Sequence, residues 1–331
     1  MWCGLKKTYV CLTDGELKHI DMSKGKTQTQ MKEQVIVRAC RQEDIEAATD
    51  VYLFTLDDLK RRHGVEPTPT DRAMWHRGYE HIFASGIFNV AELDGKVVAV
   101  CNGILRDKLW FLSGFWVLPD YQGMGIGHRL IDKTWQDAKA AGASEYFVWA
   151  SVDLPAVGNY MRLGMLPGYQ IFTLTAPSSV VKEKLAQIDK NGIAEGYRVD
   201  VLTAHLAGDI DQRVRGTRRE VDHAEWLSDT ARSGKAIYYG SSMVGYFYTR
   251  KGVIGPAAYL DERHEETVLE LAFHQAVEEA ESILVYIPGI NRSALTYALQ
   301  LGGRLVSHSH FLTTREFGEM TCYLPSGPLL Y

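Results

Sequence analysis

Three glycines alternate in the run Val117-Leu118-Pro119-Asp120-Tyr121-Gln122-Gly123-Met124-Gly125-Ile126-Gly127-His128-Arg129. The run lies between a strand-like stretch, Leu109–Val117, and a helical pattern with apolar residues at Leu130, Ile131, Trp135 and Ala138. A glycine-rich turn that opens a helix leaves several backbone N–H groups unpaired and aimed at one point, on the positive end of the helix dipole. Such a turn binds phosphate or pyrophosphate, and the missing side chains let the ligand approach the backbone. A turn without a ligand could avoid the conformational entropy that three alternating glycines lose. Gly127-His128-Arg129 rules out a Gly-Lys-Ser/Thr phosphate loop. A dinucleotide loop is also excluded, because the spacing is not G-x-G-x-x-G and strands of antiparallel type precede it.

The elements around this turn read as a mixed α/β fold. A short strand signal, Val35–Ala39, precedes a helical pattern from Arg41 to Leu59, and a second helix is expected from Pro69 or Thr70, where Thr and Asp can cap, through Ile82 and Phe83. Phe88–Leu93, Asp94-Gly95 and Val97–Cys101 predict a hairpin, since Asp-Gly suits a tight turn. Leu109–Val117 is a third strand and Glu145–Ala150 a fourth. After Pro177 a capped helix and Asn191-Gly192 read as a connection, and the order then repeats. Helical stretches at 211–214 and 223–231 lead to strands at 236–239, 244–248 and 253–260, a helix from about Glu265 to Glu281, and a strand at 283–287. Strands at 305–313 and 320–324 finish the chain. Two tandem copies of one fold account for this repetition.

Composition agrees with two soluble cores. The chain has 331 residues, 46% hydrophobic and 23% charged, and a net charge of −5. That balance supplies no general attraction to nucleic acid or anionic lipid, so neither nucleic acid nor membrane is an expected partner. No apolar run is long enough for a membrane span, and the N-terminus lacks the pattern of a signal peptide. Five scattered cysteines without C-x-x-C spacing read as reduced and mostly buried, and the expected location is cytoplasmic. His76-x-x-x-Glu80-His81 fits no zinc spacing, so no metal is expected.

At this point the sequence resembles the GNAT superfamily of N-acetyltransferases. That family's acetyl-CoA loop reads Arg/Gln-x-x-Gly-x-Gly/Ala after a strand ending in Val-x-Pro; here Val117-x-Pro119 is followed by Gln122-x-x-Gly125-x-Gly127. Asp153-x-x-Ala156-x-x-x-Tyr160-x-x-x-Gly164-Met165 is similar to the family's Asn-x-x-Ala-x-x-x-Tyr-x-x-x-Gly-Phe, with Asp for Asn and Met for Phe. The resemblance covers about 35 to 177. It implies that the backbone of Phe115, Trp116 and Val117 holds the pantetheine arm where two strands splay. It also implies that Gln122 and the amides of Gly123, Met124, Gly125, Ile126, Gly127 and His128 cradle the pyrophosphate of acetyl-CoA. Tyr160 takes the place of the tyrosine that protonates the departing thiolate; on its own residues it also reads as a packed helix tyrosine. Asp153 reads as a helix N-cap, and the resemblance adds a CoA contact. No general base is identifiable: Leu109–Val117 contains no carboxylate, and Glu92 on the hairpin is the nearest.

The second copy keeps the helix frame as Asn291-x-x-Ala294-x-x-x-Ala298-x-x-x-Gly302 but not the chemistry. Asp261-Glu262-Arg263-His264-Glu265-Glu266 stands where the glycine turn would align, acidic and without glycine, and Tyr297 is one residue early. The resulting expectation is a polar extension over 1–33, a catalytic GNAT domain over 34–177, a linker over 178–196 and a degenerate GNAT-like domain over 197–331. The expected activity is acetyl-CoA-dependent transfer to a primary amine of a small molecule or peptide. Transfer of another acyl group and a non-catalytic acyl-CoA sensor or scaffold are the alternatives. An open sheet needs a wall for its acceptor cleft, which the second copy or the partner subunit of a homodimer could supply.

Overall fold

Apolar alternation and the turn residues between them produce the element order read from the sequence, with some changed boundaries. The computed structural model describes residues 34–67, 69–188 and 194–331, and before them a backbone pairing of Leu12–Thr13 with Glu16–Leu17. The rest of the expected extension over 1–33 and the centre of the expected linker lie outside the described residues.

The first half runs β1 (Ile36–Ala39), α1 (Ile45–Arg62), α2 (Arg72–Ser85), β2 (Ile87–Leu93), β3 (Lys96–Arg106), β4 (Leu109–Val117), α3 (Ile126–Ala140), β5 (Glu145–Ala150), α4 (Leu154–Arg162) and β6 (Leu166–Pro177). Helix α5 (Ser178–Ile188) leads to β7 (Tyr197–Val201), α6 (Ala204–Val214), α7 (Glu220–Ser228), β8 (Arg232–Tyr239), β9 (Ser242–Arg250) and β10 (Val253–Tyr259). The chain ends with α8 (Glu265–Glu279), β11 (Ser282–Pro288), α9 (Arg292–Gln300), β12 (Arg304–Thr313) and β13 (Tyr323–Leu324). Helix α6 starts well before the apolar pattern suggested, because the Thr203 side chain caps it by accepting from the Leu206 amide. The stretch 320–324 is a strand only at its last two residues; Met320–Cys322 form a 3-10 turn.

Among the described residues thirteen strands form one mixed, mostly antiparallel sheet, ordered β1-β2-β3-β4-β5-β12-β6-β11-β10-β9-β8-β7, with β13 paired to β10. The parallel pairs are β4 with β5 and β10 with β11. The two halves exchange strands at the centre. β12 of the second half pairs antiparallel with β5 of the first, His310 facing Ala150 and Thr313 facing Phe147. In return β6 of the first half pairs with β11 of the second, Ser282 facing Pro177 and Pro288 facing Ile171. The boundary drawn at 177 therefore closes a strand that is seated in the other half's sheet.

Helices cover both faces. Tyr52 of α1 and Trp75 and Tyr79 of α2 are buried on one face, in the same core as Phe111 and Phe147. On the other, Ile126, Leu130 and Ala138 of α3 are buried with Trp110, Tyr160 and Met165. A buried ionic contact joins the halves. Asp222 of α7 accepts from Arg106 Nε at 2.9 Å and meets His81 Nε2 at 2.7 Å.

Candidate active site

Strands β4 and β5 pair from Leu109 with Glu145 through Leu112 with Val148 and no further. Beyond Leu112 they part, since β4 stays bound to β3 as far as Val117 opposite Ala99 while β5 turns to β12. One edge of Ser113–Val117 is thus left facing a gap. A cavity of about 930 Å³ opens there and continues between the halves. The expected strand splay and glycine turn meet at this cavity: Phe115, Trp116, Val117, Gln122, Gly123, Gly125, Gly127 and His128 all line it. Met124 and Ile126 do not: Met124 packs beside the α3 core and Ile126 is buried within it, which leaves their main chain as what they can offer.

The turn has the backbone that its glycines allow. Gly123 and Gly125 sit at φ 76° and 77°, in the left-handed region. Helical bonding resumes with the Arg129 amide on the Gly125 carbonyl at 3.2 Å, so the amides of Ile126, Gly127 and His128 occupy the first turn, where a helix has no acceptor of its own. At Gly127 a Cβ would lie 3.0 Å from Phe115 Cζ and 3.2 Å from Val117 Cγ2, so a side chain would press on the splayed strand. Gln122 turns inward: its Nε2 donates to the Val117 carbonyl at 2.8 Å, bracing the turn against the end of β4. These features fit a pyrophosphate held by main chain, with an extended arm along the open edge of β4.

Tyr160, on α4, lines the same cavity and is 6% exposed, its ring edge-on to Phe115 at 6.3 Å between centroids. Burial, with smaller contributions from Cys101 and Asp153, holds its hydroxyl protonated well above the usual tyrosine range. Asp153 occupies the N-cap position of α4, but its side chain makes no capping bond. Its carboxylate instead meets Arg62 Nη1 at 3.5 Å, across from the end of α1, an arginine that Asp58 also holds, at 2.9 Å from Nε. Glu92 lies outside the cavity lining and is held by Arg38, whose Nη2 and Nε stand 2.6 and 2.9 Å from one carboxylate oxygen. It belongs to a part-buried ion pair between β1 and the hairpin, away from the cleft.

The far wall was not legible in the sequence. Trp226, Asp229 and Arg232 of the second half line the cavity, together with the tail segment 326–330. The tail is tied down where Ser113 Oγ donates to the Leu329 carbonyl at 2.5 Å. Neither contact leaves a local signal, since each joins residues more than 100 positions apart.

The corresponding place in the second half is built differently. β10 and β11 pair only at Val253–Ile254 with Leu284–Val285 and then part, but β13 pairs with β10 there, Tyr323 opposite Ala258 and Leu324 opposite Ala257. At the turn, Asp261 caps by accepting from the Arg263 amide, and Glu265 is buried with the Tyr259 hydroxyl on it at 2.5 Å. The frame position Ala298 is buried.

Among the described residues no group of three or more His, Cys, Asp and Glu side chains is placed to hold a metal, and no helix is long and apolar enough to cross a membrane. His76 pairs with Glu46 at 3.1 Å.

Residues 50–165 match the sequence model of the acetyltransferase (GNAT) family. No curated protein matches the chain. Among solved structures, a proposed acetyltransferase from Pyrococcus horikoshii is similar over 90% of this chain and 96% of its own, at 16% identity and TM-score 0.70. A tandem GNAT protein from the clavulanic acid biosynthesis pathway aligns with 84% of this chain and 98% of its own, at 11% identity and TM-score 0.57. A GCN5-related N-acetyltransferase from Sphaerobacter thermophilus aligns with 88% and 99%, at 14% identity and TM-score 0.56. The matched motifs, the splayed β4 and β5 and the repeated topology together make this chain a tandem GNAT-fold protein whose first half carries the domain of the GNAT acetyltransferase family.

Proposed function

We propose that the protein transfers an acetyl group from acetyl-CoA directly to a primary amine, at one site per chain in its first half. The reading rests above all on one juxtaposition: the glycine turn, the open edge of β4 and Tyr160 border a single cavity. Acetyl-CoA would supply a thioester whose acyl carbon is the electrophile. Amides from Gly123 to His128 would bind the pyrophosphate, and backbone groups of Ser113–Val117 would fix the pantetheine arm as a further strand beside β4. With both ends held, an amine entering from between the halves would attack the acyl carbon as the carbon–sulfur bond breaks, its nitrogen giving up one proton to water and Tyr160 regaining one from water afterwards. Tyr160 would give its proton to the departing sulfur, a role open to it because it lines the same cavity as the splayed strand. The motif residues include no cysteine nucleophile, so the amine is taken to attack directly in a ternary complex.

Release of free thiol from acetyl-CoA against a panel of primary amines tests the proposal. Turnover that depends on both the amine and Tyr160 supports it. Tight CoA binding with no transfer to any amine points instead to an acyl-CoA sensor. Transfer from a longer acyl-CoA in preference to acetyl-CoA changes the donor and keeps the site.

A further inference from the structure

Arg232 opens β8 and lines the cavity on the wall opposite the glycine turn's half of the molecule. Its Nη1 donates to the Gly255 carbonyl at 2.9 Å. Its Nε is shielded from solvent and has no acceptor. Among the described residues no carboxylate forms an ion pair with it, although Asp229 is beside it and Glu225 lines the same cavity. Asp229 is taken by Arg250 Nε at 2.7 Å, Glu225 by Arg77 Nε at 2.5 Å, and Asp71 both caps α2 and meets Arg250 Nη2 at 3.4 Å.

The surroundings sharpen the imbalance. Arg232 faces Arg250 directly across the β8–β9 pair, a like-charge juxtaposition that destabilises a sheet. Burial, with Arg250 beside it, pulls the guanidinium down to about 10 despite Asp229, and it is still charged at neutral pH. The Trp226 ring, 6.0 Å from its Cζ, supplies an apolar flank and only a weak compensation. A charged group partly withdrawn from water, with a shielded N–H unsatisfied and no ionic partner, is costly, and it persists where something else completes it. Arg77 and Arg250 have their own carboxylates. Arg232 is the cavity-lining arginine of this wall that does not.

We infer that Arg232 is the anion-recognising residue of the acceptor pocket, and that the acceptor is an amine carrying an anionic oxygen group, a carboxylate or a phosphate monoester. This rests on the transferase reading above and assigns the second half a task in it. The free side of the guanidinium receives the anion, Trp226 packs the carbon chain between the two ends, and the amine is left pointing back toward the splay of β4 and β5. Arg232 thereby acts as a specificity residue through binding, apart from the reacting atoms.

The test uses matched amines on the intact protein: β-alanine against 3-aminopropanol, and O-phosphoethanolamine against ethanolamine. Acetyl transfer is followed by thiol release, and each amine is also titrated into the CoA-loaded protein by tryptophan fluorescence, which needs no turnover. The expected result is a preference of roughly 10- to 100-fold for the anionic member, seen mainly in KM or Kd, as a charged hydrogen bond provides. Arg232→Gln should collapse that ratio toward one, and Arg232→Lys should retain part of it, with circular dichroism reporting on the fold. Whichever pair shows the preference names the group as carboxylate or phosphate. A ratio near one in the parent protein, or a ratio unchanged by Arg232→Gln, overturns the inference. Transfer to neutral amines without an anion preference defeats this inference alone. Anion-dependent binding without any transfer defeats the transferase reading and leaves the anion site standing.

Discussion

Tyr323 is paired with Ala258 in the opening where β10 parts from β11, so the protein's own chain fills in its second half the kind of gap that stays open beside Phe115 in its first. Both residues are wholly buried. The edge that an extended ligand arm would pair with is already satisfied there, and the neighbouring turn offers Glu262 and Glu265 in place of glycines.

Calorimetric titration with CoA is therefore expected to saturate at one equivalent per chain. A second equivalent would mean that β13 can be displaced from β10.

Tyr160→Phe removes a hydroxyl and little volume. CoA affinity should persist while kcat falls roughly 10- to 10³-fold, the span expected for loss of a general acid. Equal turnover by the two proteins, once a competent amine is known, would reduce Tyr160 to a packing residue between α4 and Phe115.

Gly125→Glu places a side chain at a left-handed backbone position and a negative charge at the N-cap of α3, beside its unpaired amides. CoA binding should drop below calorimetric detection while the far-ultraviolet circular dichroism is retained. Unchanged affinity would show that the phosphates are held elsewhere.

Much of this was legible locally. The glycine turn, the hairpin at Asp94-Gly95 and the repeated helix frame are short-range patterns, and the structure forms them where the spacing indicated. The misreadings came from partners far along the chain. Asp153 has the residue type and position of a cap, yet Arg62, 91 positions earlier, takes its carboxylate. Glu92, the nearest carboxylate to the strand, is clamped by Arg38, 54 positions earlier. Arg232 carries no motif at all, and only the meeting of the two halves turns it toward a cavity. The strand exchange was equally silent, because β5 and β11 have the same alternation whichever strand lies beside them.

Asp222→Asn tests the ionic contact between the halves. It leaves Arg106 buried with its charge and without its carboxylate, and should cost about 3–5 kcal/mol in denaturant unfolding. The parent protein's pH dependence carries the same signature. Burial alone would raise the Asp222 carboxyl, but hydrogen bonds from His81 and Arg106 override it and hold the group well below the usual carboxylate range. A depressed folded value means stability that is complete above about 4, the unfolded value, and lost as pH falls below it. The variant should show a shallower acid limb, and an identical limb would remove Asp222 from the account.

The exchange of β6 and β12 also sets a timetable for synthesis. Ala150, at the end of β5, leaves the ribosome about 160 residues before Thr313, the end of the strand that pairs with β5. At translation rates of about 5–20 residues per second, that interval is roughly 8–32 s. Throughout it the nascent first half holds an unpaired sheet edge rich in aromatic residues, Tyr146, Phe147 and Trp149, which is the kind of edge that chaperones shield and that aggregates recruit. A ribosome stalled before residue 304 thus carries a half-built sheet, the edge of β5 waiting for a strand that has yet to be made.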